Sequence, residues 1–353
     1  IDSQTKGLYP NQGKTAGYKM LNAIPTATAV DCLIVGGSYA GLSAALTLGR
    51  SLRKTIVIDE GLPCNRFAPH SQNFLTHDGS RPSDIAELGR QQIQSKYQSV
   101  QFVADRVESA VVSSSTSNFH VTTQQGYTIE ARKIIFASGV KDIFPDIPGF
   151  AECWGKSVIH CPYCHGFEYQ SQPTGLFMNA MVALHMAPIV RNLTPDVTLF
   201  CQDLSPLSEE QLNLIKANQI PIITSPITQI KHDHGQLTGV VVEDGREFPL
   251  KTLYAHIPYE VNCKAIMESL GCTFTELGFI SVTEMQKASS TTPTDTVPGI
   301  FACGDATTMF RSVANAVRGG NVAGAVANME LCAADFAAAA ATAATAGAES
   351  TQQ

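Results

Sequence analysis

The sequence predicts an α/β protein in which a doubly wound, Rossmann-like unit is interrupted by a smaller α/β unit. Three observations carry this expectation. An apolar run at residues 31–35 leads directly into Gly36-Gly37. A small-residue helical pattern over 40–50 and a second apolar run over 55–58 follow. That order is one strand–turn–helix–strand module. A second alternation of strand-like and helix-like segments starts near residue 146 and runs to about 255. Near Pro298-Gly299 the first pattern resumes with Ile300-Phe301-Ala302-Cys303-Gly304-Asp305, then a long small-residue helix over about 312–332. Two halves flanking a unit of their own kind imply an insertion.

The expected boundaries are an N-terminal arm at 1–30, the first half of the larger domain at 31–145, and the inserted domain at 146–255. The second half of the larger domain spans 256–336, and a loose Ala-, Thr- and Gln-rich tail 337–353. Residues 81–98 read as a helix, with Pro82 and Ser83 near its start and Ile85, Leu88 and Ile93 on one face. Residues 100–138 alternate as strands around a Ser-rich turn at 113–117. In the inserted domain, strands are expected at 174–178, 197–200, 220–224 and 237–243, and a helix at 180–193.

A chain of 353 residues has length for two cores. Hydrophobic residues make up 44% and charged residues 16%, which is globular composition rather than disorder. The net charge is −7 and no dense Lys/Arg block occurs, so neither nucleic acid nor an acidic membrane surface is an expected partner. No uninterrupted run of apolar residues has the length of a membrane span. Ten cysteines are too sparse for a disulfide scaffold. A start at Ile1 and the sequon Asn192-Leu193-Thr194 suggest a secreted protein, with the cytoplasm as the alternative.

Gly36-Gly37-Ser38-Tyr39-Ala40-Gly41 stands where a dinucleotide-binding turn should stand. The first glycine permits the tight turn, the last lets helix and strand pack closely, and the helix N-terminus offers N–H groups to a pyrophosphate. Ser38 replaces the middle glycine of the usual pattern. Asp59 ends the next strand, where an acid can bind ribose hydroxyls. Gly304-Asp305 and the helix starting near Ser312-Val313 favour FAD over NAD. The carboxylate can accept from a ribityl hydroxyl, and the helix start can face the flavin.

His160-Cys161-Pro162-Tyr163-Cys164-His165-Gly166 is the most reactive stretch. A structural zinc site would need a second C-x-x-C pair, and the other cysteines are dispersed. C-x-x-C-H also matches a c-type haem attachment signature, but nothing else in the pattern provides for haem. The third reading is a redox-active thiol pair beside a flavin. His165 is the expected acid/base, with His160 as the second candidate.

Four separated motifs now stand together: the GGSYAG turn, Ser138-Gly139, CPYC, and Gly304-Asp305 with its helix. Through them the chain resembles the low-molecular-weight thioredoxin reductases over about residues 31–332. The resemblance implies a two-domain FAD/NAD-linked reductase fold, a homodimer, Cys164 facing the flavin and Cys161 exchanging with substrate. His165 stands where those reductases have an acid/base aspartate. Glu60, Arg66, Asn73, Val107, Ser138 and Gly139 complete the expected flavin-binding set. The departure lies at 175–183, Gly-Leu-Phe-Met-Asn-Ala-Met-Val-Ala, where those reductases carry a second glycine-rich turn for NADPH. Here it has one glycine, and Asp203 rather than arginine follows the next strand. The same loss marks the fungal gliotoxin-type dithiol oxidases and the secreted fungal sulfhydryl oxidases, which the chain also resembles. The expected activity is FAD-dependent oxidation of small thiols such as glutathione by O2. The alternatives are NADPH-dependent disulfide reduction and a flavin-binding protein without activity. No metal is expected.

Overall fold

The computed structural model of the chain describes residues 28–292 and 295–350, with side chains to residue 344. Of the expected arm, residues 1–27 lie outside the described residues, as do 351–353 of the expected tail. The first lobe opens with β1 (Thr28–Val35), α1 (Tyr39–Arg50), β2 (Thr55–Asp59), α2 (Pro82–Gln94) and β3 (Val100–Ala104). A hairpin, β4 (Val107–Val112) and β5 (Phe119–Thr123), then leads into β6 (Thr128–Phe136). β1 pairs in parallel with β2 on one side and β6 on the other. Its residues alternate between two cores: Leu33 and Val35 face one, Cys32 and Ile34 the other. A parallel strand covered on both faces needs such a continuous apolar run.

The chain leaves this lobe through β7 (Val140–Asp142) and builds α3 (Phe150–Cys153), β8 (Val158–Ile159), α4 (Pro162–His165), β9 (Thr174–Phe177), α5 (Ala180–Arg191) and β10 (Val197–Phe200). α6 (Glu209–Ala217), β11 (Ile222–Ile223), β12 (Ile227–Asp233), β13 (Gln236–Val242), β14 (Glu247–Pro249) and β15 (Thr252–Ala255) complete the inserted lobe. Its parallel sheet runs β11-β10-β9-β15-β8, and β12-β13-β14 form a separate antiparallel sheet. One core lies between the two sheets, around Phe150, Trp154, Leu253 and Val240. Another lies on the side of α5, around Leu176, Ala183 and Tyr254.

The return runs through β16 (Tyr259–Val261), which pairs antiparallel with β7, so the two crossovers form one ladder bracketing the insertion. α7 (Lys264–Ser269), β17 (Lys287–Ser289), β18 (Thr296–Ala302) and α8 (Val313–Ser350) finish the first lobe. Its sheet runs β17-β18-β6-β1-β2-β3. Successive connections step outward on opposite sides of β1, which makes the carboxyl ends of β1 and β6 the switch point where such folds bind ligands.

The expected loose tail is corrected: α8 continues as helix through Ser350. Alanine has the best helix propensity, so an Ala-rich extension of a helix already nucleated by its core half propagates cheaply. The core half packs Ala316, Ala323 and Ala327 against α1. Asp335 pairs with Arg53 and Arg132, and beyond it the helix is exposed. By length and composition one helix among the described residues, over Val313–Ala344, is apolar enough to cross a membrane, although no uncharged apolar run reaches that length.

Candidate active site

The glycine turn after β1 shows why its residues are small. Gly36 has φ +102°, and a Cβ there would fall on the carbonyl oxygen of Ala137 at the end of β6. A Cβ on Gly41 would fall on the Gly36 carbonyl. The helix and the two strand ends therefore approach to backbone contact. Ser38 is the N-cap of α1 and its side chain makes no capping hydrogen bond, so the first-turn N–H groups face outward for a ligand.

Those N–H groups open onto a cleft of about 1280 Å³, part of it open to solvent. Ser38, Tyr39, Ala40, Asn73, Ser138, Gly139, Gly304, Asp305, Ser312, Val313, Cys164 and His165 line it, drawn from both lobes. Asn73 holds φ 57°, the left-handed region that asparagine tolerates best after glycine, and its N–H donates to Asp78. Ser138 Oγ donates to the Asn262 carbonyl while Asn262 Nδ2 donates back to the Ser138 carbonyl, pinning the crossovers at the cleft floor. The starts of α1 and α8 both border the cleft, which suits a ligand with a pyrophosphate at one end and an electron-rich ring at the other. Asp305 supplies a half-buried carboxylate between them, its pKa pushed up by burial. This donor and acceptor set fits FAD.

The remaining expected flavin residues do not border this cleft. Gly36 and Gly41 shape the turn from beneath. Asp59 is engaged by Arg90 at 3.3 Å and by the N–H of Gly61. Glu60 is exposed beside Cys263 and Arg106. Arg66 lies over the Phe67 ring at 4.2 Å and donates to the carbonyls of Leu62 and Pro63. Val107 packs its side chain into the core.

Cys161 and Cys164 form a disulfide, with Cα atoms 5.3 Å apart. Of the pair it is Cys164 that borders the cleft, and Cys161 lies outside its lining. α4 is a single turn of four residues, too short for a strong dipole, so any helix-start stabilisation of a thiolate is small. His160 directly follows β8 and stacks on Trp154 at 5.9 Å between ring centroids. His160 is pushed down to about 4 by the protein around it and by the Arg311 cation. His165 is also lowered, by burial, with Glu168 opposing. Both imidazoles are thus neutral near pH 7, and at about 4 His160 is a weak base, which leaves His165 as the better proton acceptor.

Several cleft residues carry no sequence signal. Arg311 meets Asp142 at 2.9 Å, with side chains 14% and 6% exposed. Cys64 donates to Asp305 Oδ2 at 3.4 Å, and burial pushes its thiol up to about 12, so it is no rival nucleophile. Asp142, Arg311, Cys64 and Asn262 come from four separate segments, and no local spacing announces their meeting.

The model of the pyridine nucleotide-disulphide oxidoreductase family matches residues 30–320. The chain is 31% identical over 318 residues to the thioredoxin reductase tcpT of Claviceps purpurea (strain 20.1), covering 87% of this chain and 96% of that one. Among solved structures, HlmI superposes with a TM-score of 0.82 at 29% identity over 91% of this chain and 99% of that chain. A putative thioredoxin reductase, TrxB from Bacillus anthracis, gives 0.80 at 27% over 87% and 100%. FAD is the cofactor of this flavoprotein family, and the donors and acceptors that line the cleft suit it. With its two lobes, its cleft and its paired sulfurs, the chain belongs to the pyridine nucleotide-disulphide oxidoreductases, on their thioredoxin reductase-like branch.

Proposed function

We propose that the protein is an FAD-dependent thiol oxidase: 2 RSH + O2 → RSSR + H2O2. The observation supporting this is the asymmetry between its two dinucleotide-type turns. The flavin-side turn is open to ligand. In the inserted lobe, Asn179 Oδ1 accepts the Val182 N–H at 2.9 Å and so caps α5 with the chain's own side chain. Met178 is buried beside it. The cap takes one of the first-turn donors that a pyrophosphate would use, which favours electrons entering as thiols.

A substrate thiol gives its proton to His165 and attacks Cys161 Sγ. The Cys161–Cys164 bond breaks, and Cys164 leaves as the thiolate on the cleft side. A second thiol attacks the mixed disulfide, releasing RSSR and the Cys161 thiolate. FAD, held in the cleft beside Cys164, would supply the two-electron acceptor for the Cys161/Cys164 dithiol and the route to O2. His165 takes the proton of each thiol in turn and passes it on, so that both protons leave with O2 as H2O2.

NADPH-dependent disulfide reduction is the second reading, favoured by the thioredoxin reductase names of tcpT and TrxB. One experiment decides. FAD-loaded protein is supplied with glutathione or dithiothreitol in air without nucleotide. Oxygen uptake with stoichiometric peroxide is expected. In the anaerobic arm, NADPH should leave the flavin oxidised. Rapid bleaching by NADPH and no oxygen uptake with thiols would establish the reductase instead.

A further inference from the structure

Asp305 has two carboxylate oxygens, and the chain occupies only one of them. Cys64 Sγ donates to Oδ2 at 3.4 Å, and Arg311 Nε stands 3.7 Å from the same atom. Oδ1 makes no hydrogen bond among the described residues, which leaves its lone pairs to a hydroxyl of the guest.

The groups that meet here are carried on braced turns. Asp305 follows Gly304, whose φ is +76° and whose Cβ position lies 2.9 Å from the Ala40 Cβ on α1. Thr307 Oγ1 donates to the Gly304 carbonyl and closes that turn. Cys64 opens the 3-10 turn Cys64–Phe67, entered from Pro63. Arg66 donates to the carbonyls of Leu62 and Pro63 just before it. Asn65 Nδ2 donates to the Tyr39 hydroxyl at the start of α1. The thiol therefore sits between the glycine turn and Asp305 on a segment held from both sides.

The charges explain what a thiol contributes. Arg311 serves two carboxylates at once, Asp142 at 2.9 Å and Asp305. Its Nε is buried without a hydrogen-bond partner. One cation between two anions leaves Asp305 incompletely compensated, and burial pushes its pKa up. Such a carboxylate lacks a short-range donor. Cys64 supplies one, and burial pushes the thiol up to about 12, so it keeps its proton near neutral pH.

We propose that Cys64 is a positioning residue for FAD. Its S–H group fixes the Asp305 carboxylate by Oδ2, so that Oδ1 is presented to a ribityl hydroxyl of the cofactor. The thiol acts through Asp305 and takes no part in the redox chemistry. The assignment is independent of whether electrons arrive from thiols or from a nucleotide, because it concerns how the cofactor is kept.

The test uses FAD-loaded wild-type protein, Cys64→Ala, Cys64→Ser, Asp305→Asn and the double variant carrying Cys64→Ala with Asp305→Asn. Each is diluted and ultrafiltered, and free FAD in the filtrate gives the dissociation constant. Cys64→Ala removes the donor and should weaken FAD binding about tenfold. Cys64→Ser keeps a donor of similar size and should stay within about threefold of wild type. Asp305→Asn should weaken binding about tenfold or more, and adding Cys64→Ala to it should weaken binding by less than about a further twofold. That lack of additivity marks a residue acting through another, and loss of packing alone would not produce it. A second readout does not depend on Cys64→Ala folding. The S–H infrared band missing from Cys64→Ser identifies this thiol in wild-type protein. It should lie at the hydrogen-bonded, low-frequency end of the S–H region and should rise in Asp305→Asn.

FAD binding within twofold of wild type in Cys64→Ala would overturn the proposal. So would a Cys64→Ser as weak as Cys64→Ala, a full tenfold further loss in the double variant, or an S–H band that Asp305→Asn leaves unmoved. Wild-type affinity in Asp305→Asn would remove Asp305 from the flavin set, and the proposal with it.

Discussion

The two lobes contain the same local unit, a parallel strand, a turn and a helix, put to different ends. In the first lobe, β1 passes through Gly36 and Gly37 to Ser38, whose hydroxyl leaves the start of α1 uncapped. In the inserted lobe, β9 passes through Met178 to Asn179, whose side chain occupies the corresponding N–H of α5. Gly175, the one glycine of that stretch, lies inside the strand. A Cβ there would press into Leu253 and Leu250, so it serves the packing of the sheet face rather than the approach of a phosphate. The lesson is that a fold unit does not specify a ligand. The few residues between strand and helix decide whether helix donors point at a guest or are satisfied by the chain.

Substitutions can test that contrast. The largest effect is expected at Cys164, the sulfur that joins the inserted lobe to the flavin cleft. Cys164→Ser should slow thiol-driven bleaching of the flavin by about three orders of magnitude or more in anaerobic stopped flow. Normal bleaching would mean that another thiol carries the electrons. Next is the open turn. Gly36→Val places a side chain against the Ala137 carbonyl at a φ that L-residues avoid. It should cost about 2–4 kcal/mol and abolish FAD retention through gel filtration, read from the absorbance ratio. The capped turn should respond quite differently. Asn179→Ala removes one cap and should cost about 1 kcal/mol, a loss of a few degrees in melting temperature. FAD content and the rate of flavin reduction by dithiothreitol should not change. A large loss of either would show that the second turn takes part in the chemistry.

The smallest effect is a pH dependence at the junction of the lobes. His160, His165 and His256 are all depressed from the ordinary value of 6.5. Below that value the unfolded chain binds protons that the folded chain refuses. These groups therefore cost no stability above about pH 6.5, and stability falls as pH drops from there toward about 4, the His160 value. Arg311, Asp142, His165 and His256 are the groups facing His160, and only Asp142 opposes the depression. Melting curves between pH 8 and 5 should show the fall, and His160→Gln should make it shallower. An identical slope would mean that His160 protonates freely in the folded state.

Much of this was legible in local order. The run Cys32-Leu33-Ile34-Val35 followed by glycines announces a doubly covered parallel strand and its turn. The second strand–helix alternation over residues 146–255 announces an inserted lobe, and the C-x-x-C spacing brings two sulfurs within bonding reach. Each is a short-range pattern, and backbone sterics or strand periodicity suffices to read it. The extended last helix was missed because an Ala- and Thr-rich composition is compatible with both coil and helix. Continuity with the packed half of α8 decides between them. Arg66, Glu60 and Val107 entered the flavin set through resemblance alone; their side chains turn to Phe67, to solvent and to the core.

From linear order alone one could read the kind of fold, the insertion, the glycine turn and the identity of the paired sulfurs, because each is written within a few consecutive residues. Which sulfur faces the cleft, how Asp142 meets Arg311, and how Phe67 reaches Phe144 are set by chain crossings. They join residues 77 to 169 positions apart, and packing between the lobes selects among many pairings that the local pattern leaves equivalent.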